Sequence, residues 1–170
     1  MTTLALTARR LRAMGPGAWI REGWQRLRGL PGGPRIFSRL LGAAIPYTGA
    51  LGAQVLTLEP GYAKVRLDER RAVRNHLQSI HAIALSNLAE LTGNLALAYS
   101  LPDDSRFIVT KLCIEYKKKA RGSIVAECRC DPPRSSERQE YELNIALTDQ
   151  SGVVVSSAVL TTLVSPIARA

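Results

Sequence analysis

Residues 79–99, SIHAIALSNLAELTGNLALAY, are apolar nearly all the way round a helical wheel. That is the pattern of a helix buried on every side rather than laid on a surface. One stripe departs from it. Ser86, Asn87, Glu90, Gly93 and Asn94 recur at steps of three and four, so they share a face. A carboxylate inside a buried helix costs several kcal/mol unless it is paired or reaches water, which makes Glu90 the residue whose presence needs a reason. Ser79 is the expected N-cap, leaving free amides of the first turn near His81 and Ala82. That end carries partial positive charge and suits a carbonyl oxygen or an anion.

On either side the period changes from helical to two. Residues 53–59 and 63–68, joined by Glu59-Pro60-Gly61-Tyr62, read as a hairpin with good turn chemistry. In its second arm Ala63, Val65 and Leu67 alternate with Lys64, Arg66 and Asp68, one face inward and one outward. After the helix come four strand-like segments, 107–117, 123–130, 140–149 and 153–164, parted by polar links. Residues 36–44 read as a short helix closed by Pro46. The expectation is an α+β fold: a six-stranded, mostly antiparallel sheet wrapped around one long central helix.

Residues 1–35 differ in character and are set apart as a basic helical N-terminal extension, with 36–170 forming the main domain. They are rich in arginine, hold both tryptophans and are punctuated by Gly15-Pro16-Gly17 and Pro31-Gly32-Gly33-Pro34. Between those breakers 18–30 reads as a helix whose Trp19, Ile20, Trp24, Leu27 and Leu30 dock on the domain or on a neighbouring subunit. The alternative is a basic amphipathic anchor at a membrane surface. The formal net charge of +9 favours an anionic partner such as a phosphorylated coenzyme. Nucleic acid lacks support, because aromatic and basic residues do not interleave in the strands.

Cys113, Cys128 and Cys130 show no CxxC or His-spaced pattern and read as strand thiols rather than metal ligands. Arginines 9, 10 and 12 are followed by no apolar run, so no signal peptide is expected. The most apolar window carries Glu90 and two asparagines, a poor membrane span. A cytoplasmic protein is the expectation.

The segment Arg74-Asn75-His76-Leu77-Gln78-Ser79-Ile80-His81-Ala82, followed by Leu88-Ala89-Glu90, resembles the PaaI-like acyl-CoA thioesterases of the hotdog superfamily and neighbouring hotdog families. The resemblance covers roughly residues 36–165. In that group an asparagine precedes a His-Gly pair by six positions, and a helix carboxylate follows the histidine by nine. Asn75, His81 and Glu90 keep both intervals. Residues 114–120, IEYKKKA, also resemble the end of the strand that follows the helix there. Ala82 stands where the family has glycine, Glu90 where many relatives have Asp, and the hydroxyl that assists water is not clearly matched, with Val109 near its place and Thr110 beside it.

The resemblance implies thioester hydrolysis. Glu90 would be the general base, the Ala82 amide would hold the thioester oxygen as charge develops, and Asn75 and His81 would complete the catalytic set. Asn87, Asn94 and Thr110 would contact substrate, and Lys117, Lys118, Lys119 and Arg121 would take the phosphates of coenzyme A. No cofactor or metal is implied beyond the coenzyme A thioester as substrate. About 100° per residue leaves His81 and Glu90 on opposite sides of one helix, so a shared substrate needs two copies: a homodimer, or a dimer of dimers. Structural roles stay open beside these. Glu90 would bond Asn87, Asn94 or a partner's arginine, His81 would be a hydrogen-bonded structural histidine rather than a proton carrier, Asn75 would hold its loop, and the lysines would form a solvated turn. Two further classes remain, a non-catalytic acyl-thioester binder and a hotdog dehydratase or hydratase. For the latter His76 lies fourteen positions before Glu90, but Leu77-Gln78 replaces the family's His-Phe-Pro segment.

Overall fold

Helix and strands meet as the alternation of periods requires. The computed structural model describes residues 15–167; residues 1–14, which carry part of the arginine-rich head, and 168–170 lie outside it. Among the described residues three helices come first, α1 (Pro16–Leu27), α2 (Gly33–Ala44) and α3 (Pro46–Gly49). The hairpin β1 (Gln54–Glu59) and β2 (Tyr62–Asp68) leads through a 3₁₀ turn (Arg71–Val73) to the central helix α4 (Ala82–Ala98). Then come β3 (Ser105–Tyr116), β4 (Ser123–Arg129), β5 (Gln139–Thr148) and β6 (Val154–Pro166).

The six strands form one antiparallel sheet in the order β1-β2-β4-β5-β6-β3. Chain neighbours β3 and β4 are therefore not partners. The strand that leaves α4 crosses to the far edge and pairs along its whole length with β6. Helix α4 contacts all six strands, and Leu88, Ala89, Ala96, Leu97 and Ala98 are fully buried. Gly93 lies directly against the sheet. A Cβ there would lie 2.9 Å from Leu160 Cδ2 and 3.3 Å from Ile145 Cδ1, so Gly93 faces the sheet rather than the cleft beside Glu90. This is the hotdog arrangement.

The two sheet edges are treated differently. At β1 the hydroxyl of Ser38, on α2, accepts from the Val55 amide at 2.9 Å. At β3 the outer edge pairs with no strand among the described residues, and its pairing with β6 is interrupted by an irregularity between Val109 and Lys111.

The helix expected over 18–30 is α1, shorter at its C-terminal end, and its apolar side docks on the domain. Ile20 and Trp24 are buried in the main core, and Trp24 meets Phe37 edge-on with ring centroids 5.3 Å apart, a favoured aromatic geometry. Arg21 ties α1 to the end of α4 through the carbonyls of Tyr99 and Leu101 and an ion pair with Asp103 at 2.6 Å. Among the described residues no helix is long and apolar enough to cross a membrane.

Candidate active site at the start and middle of one helix

The N-terminus of α4 differs from the expectation. Ser79 is not its cap. The chain from 79 to 81 is held extended, because Ile80 N–H donates to Ala120 O and His81 N–H to Val73 O, both at 2.8 Å. Ser79 turns inward, 4% exposed, with its hydroxyl on Asn75 Oδ1. The helix starts three residues later, and the cap is His81, whose Nδ1 accepts from Ile83 N–H at 3.1 Å. That fixes the Nε2–H tautomer for the capped form. The Ala82 amide has no partner among the described residues, as expected of a first-turn donor.

A groove of about 320 Å³ opens in front of this amide, lined by Asn75, Ser79, Ala82, Tyr116 and the run Lys117–Lys118–Lys119. Tyr116 Oη lies 2.8 Å from Ser86 Oγ and donates to the Ala82 carbonyl, so the wall of the groove is tied to the first turn. Asn75 does hold the loop: its Oδ1 accepts from Leu77 N–H, Ser79 N–H and the Ser79 hydroxyl. Lys117 is 3.7 Å from Glu115, while Arg121 lies outside the groove lining. His76 is exposed in the same loop.

Glu90 lies elsewhere. Eight residues separate it from Ala82, about 12 Å along the helix axis. It is half-buried in a narrow pocket of about 160 Å³ walled by Ile20, Leu41, Thr48, Asn94 and Phe107. Its carboxylate makes no hydrogen bond or ion pair with any described residue, and neither Asn87 nor Asn94 takes it up. Asn87 donates to Thr48 Oγ1 at 3.4 Å, and the Oδ1 atoms of both asparagines are buried without a partner. Of the two only Asn94 lines the Glu90 pocket, and an orphan acceptor beside a free carboxylate there is costly to the fold and marks a place equipped to receive donors. Thr110 lies at the β3 irregularity, bonded to Thr161 O, and lines neither cavity. Thr48, which sequence reading missed, does line the Glu90 pocket. Its only sequence signal was proximity to Pro46, since a four-residue helix has no periodicity.

The three cysteines differ in placement: Cys128 is buried, Cys130 half-buried and Cys113 exposed. Cys128 and Cys130 are pushed up to about 12 and about 11 by burial, whereas Cys113 is exposed on β3.

The family model described as "Domain of unknown function (DUF4442)" matches residues 33–164. Among solved structures, a structural-genomics crystal structure aligns with 29% identity and a TM-score of 0.76, covering 88% of this chain and 99% of that one. A Pseudomonas aeruginosa protein described as a probable thioesterase aligns with 28% identity and a TM-score of 0.70, covering 81% and 97%. A Haemophilus influenzae thioesterase shares the fold at 14% identity and a TM-score of 0.64, covering 72% and 85%. No curated protein matches the chain.

Proposed function

The chain belongs to the DUF4442 family, and from that premise we propose that it is an acyl-CoA thioesterase whose site is shared between two copies. The observation that carries this reading is the unpaired Glu90 carboxylate, half-buried in an apolar pocket, on the same helix as a free amide about 12 Å away. One thioester cannot touch both in one chain. A second copy brings its Ala82 amide to the first copy's Glu90, and the β3 edge, which pairs with no further strand among the described residues, supports such pairing, since long unpaired edges recruit another strand. Ile108, 64% exposed, and Tyr116, 48% exposed, lie on that strand.

In the shared site Glu90 takes a proton from water as the water attacks the thioester carbonyl. The partner's helix end holds the oxygen as it becomes anionic, using an amide that costs nothing to orient at that moment. The collapsing intermediate expels the coenzyme A thiolate, which takes up a proton. The three lysines near that amide receive phosphate charge as point cations.

A second reading, binding without turnover, is favoured by the absence of a hydroxyl from β3 in the Glu90 pocket. A panel of acyl-CoAs with a free-thiol readout, with Glu90→Gln beside the native protein, separates the two. The esterase reading expects thiol release that falls at least about a hundredfold in the variant. Equal release in both removes Glu90 from the mechanism. Binding without release selects the second reading. Sedimentation of the native protein as a monomer would sink the shared site.

A further inference from the structure

A second cavity, of about 410 Å³, lies between α2, α3 and the start of β1. It shares Leu41, Thr48 and Leu91 with the Glu90 pocket, so the two spaces adjoin across three side chains of the same wall. The near side is apolar, formed by Leu41 and Leu91. The far side carries Arg35 and Arg39, spaced one helical turn apart and so on one face of α2.

Among the described residues, those two arginines are the only charged ones lining the cavity. Neither forms an ion pair or a side-chain hydrogen bond with a described residue, although the arginines around them do. Arg70, whose guanidinium lies beside Gly52 on the rim, is already committed to the carbonyls of Ala50 and Leu51. Arg66 is held by Gln54 and Asp68. The Ser38 hydroxyl is used by Pro34 O and the Val55 amide. What remains is a cavity that shares a wall with the pocket of the proposed general base, is apolar along that wall, and has two uncommitted guanidinium groups in its lining.

From this we infer that the cavity receives the far end of the acyl chain, and that Arg35 and Arg39 select chains terminating in a carboxylate, that is, monothioesters of dicarboxylic acids. The inference rests on the thioesterase reading for the direction of the chain. An aliphatic segment covers Leu41 and Leu91 and gains by leaving water. The terminal carboxylate meets two planar forks whose geometry matches its oxygens. A chain ending in a methyl group would leave both cations facing an apolar end, and so would be accepted without being preferred.

The test uses non-hydrolysable thioethers, S-hexyl-coenzyme A and its carboxylate-ended counterpart S-(carboxypentyl)-coenzyme A, titrated calorimetrically into the native protein and into Arg35→Ala/Arg39→Ala. The native protein should bind the carboxylate-ended ligand at least roughly tenfold more tightly. The double variant should lose that preference while keeping its affinity for the hexyl ligand. Both replaced side chains are exposed and unpaired, and Arg35→Gln/Arg39→Gln serves as a second variant that retains hydrogen-bonding length. Equal affinities in the native protein would overturn the inference. So would an equal loss for both ligands in the variants, which would assign the arginines to coenzyme A phosphates instead. Because binding is read without turnover, a protein that shows the preference but releases no thiol keeps this inference and discards the esterase.

Discussion

Asn75 Oδ1 accepts twice from Ser79, from its amide and from its hydroxyl, each at 3.2 Å. With a third bond from Leu77 N–H, one amide oxygen closes the turn that delivers the chain to α4. The turn is strained, since Gln78 within it has φ 55°, a region that non-glycine residues seldom enter. Removing Asn75 strands a buried hydroxyl and amide together. Asn75→Ala should therefore cost about 1–3 kcal/mol of stability, read as a lower unfolding midpoint. If turnover is present it should fall through kcat more than KM, because the Ala82 amide is displaced from the oxygen it holds. Asn75→Asp keeps the acceptor and should restore most of the stability.

Gly93 admits α4 to the sheet. Its absent side chain is matched by Leu160, Leu143 and Ile145, all at or near zero exposure, so none can swing aside into solvent. Gly93→Ala improves helix propensity by about 1 kcal/mol but overpacks the core at a cost of about 1–3 kcal/mol. The packing cost should win, giving a net loss of up to about 2 kcal/mol in denaturant unfolding. A stabilised variant would show that the contact has room to relax.

Thiol reactivity should divide by burial. Cys113 is exposed, whereas Cys128 and Cys130 are held as thiols up to about 12 and about 11, and the thiolate is the reactive form. A disulfide reagent near neutral pH should modify one cysteine fast, and the other two only on unfolding. Cys113→Ser should abolish the fast phase.

Acid should weaken the loop that carries β2 into the helix. The carboxyl of Glu69 is held below its ordinary 4.5, first by the Gly122 amide, then by Arg74, with burial opposing. A depressed carboxylate contributes stability that is present above its unfolded pKa and lost as pH falls through the lower folded value. Glu127 is depressed likewise by Tyr62 and Lys64 and shares that window. The unfolding midpoint should decline as pH drops below about 4.5, with a shallower slope in Glu69→Gln. An unchanged slope would place the acid sensitivity in other carboxylates.

Much of this molecule follows from local pattern, and for a definite reason. Alternation and helical periodicity record which side of each element leaves water, so six strands and one all-round apolar helix are written residue by residue. The odd placement of Glu90 in an apolar run was visible in the same way. What the pattern cannot hold is anything set by partners distant in the chain. The helix begins after His81 rather than Ser79 because Val73 and Ala120 claim the amides of His81 and Ile80. Strand β3 lies at the sheet's far edge because its partner is β6, some fifty residues on, and not β4, the next strand in the chain. Thr48 reaches the Glu90 pocket, and Arg35 and Arg39 the cavity beside it, only because α2 and α3 pack against each other and α2 against β1. Burial preference is a property of each side chain and its neighbours in sequence; who meets whom across the core is decided by closing loops, and only the folded chain pays that entropy.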